Sequence, residues 1–173
     1  GVVQTTQDMK VNGVTVGAGS DLNDLNTILG LNAFQSNTIG QLNTAIGREA
    51  LRANTEGSNN VSIGVSAMSE NITGSQNIAI GVASLKQNQG TRNTAVGHSS
   101  LNKATDAREN TAIGWGTMIN AITGSVNTAV GDSALRGLTE GSENQAFGNG
   151  SLTSLNTGSS NTALGRNAGS TLT

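Results

Sequence analysis

The chain of 173 residues contains no cysteine and no proline, and aromatic side chains make up only 2% of it. Without cysteine there is no disulfide framework, no thiolate metal site and no cysteine nucleophile. Phe34, Phe147 and Trp115 are the only large aromatic core-fillers and hydrophobic residues reach just 34%, so one broad globular core is not expected. Charge is scarce as well, at 12% of residues with a net −2. That argues against a highly charged disordered segment and against the basic surplus of a nucleic-acid binder, so nucleic acid is not an expected partner. His98 is the only histidine, which leaves little for a metal centre, and nothing calls for a cofactor. No apolar run approaches the roughly 20 residues of a membrane span, so membrane insertion is not expected, and no secretory signal opens the chain. The abundant residues are glycine, 24 of them, with asparagine, serine and threonine.

Those residues are arranged in a repeat. Asn43-Thr44-Ala45-Ile46-Gly47 recurs with its asparagine at 60, 77, 93, 110, 127, 144 and 161, at a spacing of 17 with a single 16. A weaker copy begins at Asn26, making about nine units of consensus N-T-A-I-G-x-x-A-L-x-x-x-T-x-G-S-x. A period of 17 is too short for helical-pair repeats. One circuit of a parallel β-solenoid fits it, and the expected fold class is therefore all-β. Thr44 and Ile46 alternate with Asn43, Ala45 and Gly47 in the period of two that marks a strand. A second short strand is expected around Ala50 and Leu51, with corners at Gly47 and Gly57. The lack of proline suits coils that must donate backbone N–H groups to their neighbours.

Stacked coils set like upon like. Three columns are expected inside: Ile46, Ile63, Ile80, Val96, Ile113, Val130, Phe147 and Leu164; then Leu51, Met68, Leu85, Leu101, Met118, Leu135 and Leu152, broken at Gly169; and an asparagine ladder from Asn43 to Asn161. The ladder is read as structural, since a residue repeated in every coil serves the stack. So sparse a filling leaves a lone stack underburied. Ala45, Ser62, Ala79, Ala95, Ala112, Ala129, Ala146 and Ala163 are read as a smooth face turned away from the isoleucines, and as the contact between side-by-side chains of an oligomer; the alternative is that they pack in a narrow corner of a single chain.

Residues 1–25 lie outside the repeat and 26–173 within it. Alternating valines around Asn12-Gly13 predict a hairpin that caps the first coil. The pattern runs to Thr173 with no matching cap, as in a piece of a longer parent. The unit starting at Asn77 is one residue short between Lys86 and Arg92, and the next has Ala107 at its late corner. Both changes point to a tolerant surface loop.

The sixth position of the unit varies most. If it faces solvent, Val65, Val82, His98 and Trp115 form a strip on adjacent coils that is suited to a glycan or protein receptor; the alternative is an unconstrained outer position with one inter-chain aromatic. Catalysis is not expected: the acidic residues are scattered over corners and loops, with no paired carboxylates or nucleophile and base. Ice binding is weighed because Thr44, Thr94, Thr111, Thr128 and Thr162 align. That row is interrupted by Val61, Ile78 and Gln145 and is expected to face the core.

The N-T-A-I-G-x-x-A-L units resemble repeats in bacteriophage tail fibres, and Val11-Asn12-Gly13-Val14-Thr15-Val16-Gly17 resembles the segment that introduces them. They are also similar to the S-V-A-I-G repeats in the head of YadA-like trimeric adhesins. The resemblance implies a left-handed β-roll, three-fold association, and a non-enzymatic role in host attachment on the tail fibre of a virion or, as the alternative, on a bacterial surface. The adhesin repeat is usually shorter than 17, which favours the phage reading.

Overall fold

A computed structural model describes residues 9–11, 14–17 and 25–173. It is all-β: eleven strands form one sheet in chain order, with no helix among the described residues. The strands are β1 (Met9–Val11), β2 (Val14–Gly17), β3 (Thr27–Gly30), β4 (Thr44–Ile46), β5 (Val61–Ile63), β6 (Ile78–Ile80), β7 (Thr94–Val96), β8 (Thr111–Ile113), β9 (Thr128–Val130), β10 (Gln145–Phe147) and β11 (Thr162–Leu164). From β3 onward every pairing is parallel and in register, so that Ala45 lies over Ser62 and Ala112 over Ala129. At about 4.8 Å per coil, nine stacked strands make a rod about 43 Å long. β1 and β2 pair antiparallel, and β2 pairs antiparallel with β3, so a hairpin covers the N-terminal edge of the stack. Its turn, Asn12-Gly13, lies outside the described residues.

The strands turn the opposite side inward from the one size alone suggests. Ala45, Ser62, Ala79, Ala95, Ala112, Ala129 and Ala146 are fully buried and Ala163 nearly so, all within their own coil. They are therefore not a face between chains. The isoleucine column instead stays at the surface, with Ile80 38% and Ile113 39% exposed. The reason is space. Across the narrow section the interior already holds the Leu51, Met68, Leu85, Leu101, Met118, Leu135 and Leu152 column, which is buried as expected, together with the asparagines. A methyl is what remains room for on the strand side, and Ser62 fits by donating its Oγ–H to the Ala67 carbonyl at 2.9 Å.

The asparagine ladder runs the whole length. Asn60 donates both its backbone N–H and its Nδ2 to Oδ1 of Asn43, each at 3.0 Å, and a second Nδ2 bond goes to the Gly74 carbonyl at 2.9 Å. The same pattern reaches Asn161, and it begins one unit early, where the Asn43 N–H donates to Asn26 Oδ1. Each amide thus satisfies buried groups of two coils at once.

No second strand forms at Ala50 and Leu51. Glu49 and Leu51 have φ of 61° and 50°, left-handed values that cannot extend, and the segment is a run of turns. Its N–H groups nevertheless bond between coils, as Leu51 does to Ala67 O at 3.0 Å. The two corner glycines serve different needs. Gly47 has φ of 129°, which side-chain-bearing residues rarely adopt. Gly57 has no such φ; a Cβ there would run into Asn54 Oδ1 and the Gly74 carbonyl oxygen.

The missing residue of the short coil lies between Asn88 and Gly90, where other coils have two residues. This corner is no tolerant surface loop: Asn88, Gly90 and Ala107 are all buried, and only tips such as Asp106, Arg108 and Glu109 are exposed. Gln89 makes up the deficit. In a regular coil the Thr55 and Glu56 N–H groups donate to the Ile72 carbonyl above them. In the coil below the deletion, the Ile72 and Thr73 N–H groups donate to Oε1 of Gln89 at 2.9 and 3.2 Å, and Gln89 Nε2 donates to Glu70 O. A side-chain amide has replaced a peptide.

Candidate functional site

Because Asn and Ala at unit positions one and three point in, positions two and four point out. Thr44, Val61, Ile78, Thr94, Thr111, Thr128, Gln145 and Thr162 make one outward row, and the isoleucine column makes the other; all are half-buried or exposed. The threonine row therefore faces the surface and not the core. No charged residue occupies either row in any coil, so an uncharged, largely apolar β-face runs the length of the rod. Charges lie on the remaining sides, where Lys86 pairs with Glu70 at 3.0 Å, Arg92 with Glu109 at 2.8 Å and Arg108 with Asp106 at 3.0 Å. Among the described residues no group of acidic and histidine side chains is arranged to hold a metal.

Beyond the Gly47-type corner comes the variable sixth position, and it is exposed in every coil from Arg48 to Arg166. Val65, Val82, His98 and Trp115 do sit on four successive coils, at the rim of the uncharged face. Val65 and Val82 only continue the apolar strip. His98 and Trp115 go further: their rings stack at 6.2 Å between centroids and 16° between planes. Trp115 remains half exposed.

Arg136, which the repeat pattern does not single out, joins them. It stands at unit position ten of the next coil and brings its guanidinium over the Trp115 ring, 5.4 Å from the centroid. Gly116 stands where the adjacent coils have Ser99 and Ser133; a Cβ there would be in ordinary contact with Arg136 Nη1, at 3.6 Å. Nothing in the repeat pattern signals this contact.

Comparison with family models, curated proteins and solved structures finds no match to this chain.

Proposed function

We propose that the chain is a non-enzymatic segment of a homotrimeric fibre that presents or spaces a host-binding surface, with the tail fibre of a phage as the setting. The setting, the three-fold state and the attachment role rest on the resemblance of the N-T-A-I-G repeats. The observation that carries self-association is the uncharged outward face. Leu29, Ile78, Ile80, Ile113 and Leu164 are each more than a third exposed on it, and a charge-free apolar strip shared by every coil of a rod suits burial against identical copies. The contact surface is thus the threonine and isoleucine rows and not the alanines. The exposed position-six strip borders that surface and is left for a glycan or protein receptor.

Solution mass tests the assembly: three chains of 17.4 kDa give about 52 kDa. Ile113→Lys should reduce that to a single chain with an unchanged β circular dichroism spectrum, whereas Asp132→Asn should leave it at three. A wild-type mass of 17.4 kDa would sink the proposal. The outward threonine row also keeps a second reading open, ice binding, which thermal hysteresis would report; the interruptions at Val61, Ile78 and Gln145 favour none being seen.

A further inference from the structure

We infer that Trp115, His98 and Arg136 form a subsite for an acidic sugar, a pyranose ring bearing a carboxylate within a charged polysaccharide. The inference rests on the attachment reading and supplies a ligand class for it. His98 comes from the coil before Trp115 and Arg136 from the coil after, so an aromatic surface spanning two coils is finished by a cation on the third. Unlike Lys86, Arg92 and Arg108, Arg136 has no carboxylate within 4.0 Å among the described residues. Asp132, which follows Trp115 in its column, accepts a bond from Asn149 Nδ2 at 3.2 Å. Among the described residues the one hydrogen bond of the Arg136 guanidinium is a 3.4 Å contact to Ser133 Oγ, which leaves most of its donors for a carboxylate, in the paired geometry that guanidinium favours.

The two parts select together. A neutral sugar would meet the aromatic surface and leave the free N–H donors of the guanidinium unmatched, and a lone carboxylate would meet those donors and leave the exposed part of the rings uncovered. A sugar ring with its own carboxylate uses both, its C–H face on the aromatic surface and its anion on Arg136.

Trp115 is the only tryptophan, so its fluorescence reports the subsite directly. The full chain is titrated with oligosaccharides of hyaluronan and of polygalacturonate, and with dextran of matching length. A saturable emission change is expected with at least one of the acidic probes, weaker with dextran by about tenfold or more. Arg136→Gln should reduce the acidic response by a similar factor while its circular dichroism and solution mass stay unchanged. No saturable response to either acidic probe, an equal response to dextran, or undiminished binding by Arg136→Gln overturns the subsite. Solution mass on the same samples separates the two ideas: a single chain that still binds removes the fibre reading alone, and a trimer that does not bind removes the subsite alone.

Discussion

The first coils of the rod bury asparagine where the last ones bury leucine. Unit position twelve reads Asn37, Asn54, Asn71 and Asn88, then Ala104 and Ala121, then Leu138 and Leu155, and all but Asn37 are buried. In the first half the Gly57 carbonyl receives both Asn43 Nδ2 at 2.9 Å and Asn54 Nδ2 at 3.0 Å. In the second half the equivalent Gly141 carbonyl receives Asn127 Nδ2 alone, at 2.9 Å. The continuous ladder already satisfies the late corner, so the second amide is optional and an apolar side chain can take its place. The second ladder also ends badly. Asn88, in the short coil, donates its Nδ2 to Gly90 O, and Oδ1 of Asn71 below it is left buried without a partner among the described residues. The same backbone thus tolerates two interiors, and among the described residues the apolar one leaves no buried side-chain nitrogen or oxygen unpaired.

The largest expected effect falls on what the halves share. Asn110→Ala would strip partners from the Asn127 N–H and Nδ2, the Gly124 carbonyl and Asn93 Oδ1. With buried unsatisfied groups at about 1–3 kcal/mol each, a loss of about 3–5 kcal/mol is expected in urea unfolding. Asn54→Ala, in the optional ladder, should cost clearly less. Equal losses would erase the distinction between the two ladders.

Next in size is Leu138→Asn, which imports the first interior into the second. It gives up about 2 kcal/mol of apolar burial and sets an amide between Ala121 and Leu155, which offer no side-chain hydrogen bond. A loss of about 3 kcal/mol is expected. Adding Leu155→Asn supplies a neighbouring amide, so the double variant should lose less than the sum of the two singles. Strict additivity would mean that the amides do not recognise each other across coils.

Gln89→Ala probes the boundary between the halves. It removes the acceptor of the Ile72 and Thr73 N–H groups and the donor to Glu70 O. These sites are partly solvated, and a loss of about 1–2 kcal/mol is expected. Amide exchange should quicken at residues 72 and 73 before anywhere in the second half; unchanged protection there would show that water replaces the side chain without loss.

Period, parallel stacking, the Leu51 column and the asparagine ladder were all legible in the sequence because each follows from repetition alone. Which side of the strand faces in was also written there and was misread. Asn43 and Ala45 share parity, so a buried asparagine file requires a buried alanine file, and Ile46 must then face out with Thr44. Ranking residues by hydrophobicity gave the opposite answer, because it ignored how little room one narrow coil has. The turn at Leu51 was hidden for a different reason: a left-handed leucine has no composition signature. Position-six exposure could be read from its variability. The Arg136 contact could not, since it depends on the reach of a long side chain from another coil.

The smallest expected effect concerns that left-handed turn, which both halves contain. The residue after position six has φ of 54° at Ala83 and 55° at Ser133, but the chain itself uses glycine there at Gly116 and Gly150. A left-handed conformation costs a non-glycine residue about 1–2 kcal/mol, and glycine costs about 0.5–1 kcal/mol more unfolded-state entropy than alanine. The first exceeds the second by a small margin. Ala83 contributes only a half-buried methyl, while its carbonyl keeps the 2.8 Å bond from Asn102 Nδ2 whatever its side chain. Ala83→Gly should therefore raise stability by up to about 1 kcal/mol, read as a higher urea midpoint at constant slope. A fall instead would mean that the methyl's packing outweighs the relief of backbone strain, and that the left-handed positions of the polar half are held by side-chain contact in a way that Gly116 and Gly150 in the apolar half do without.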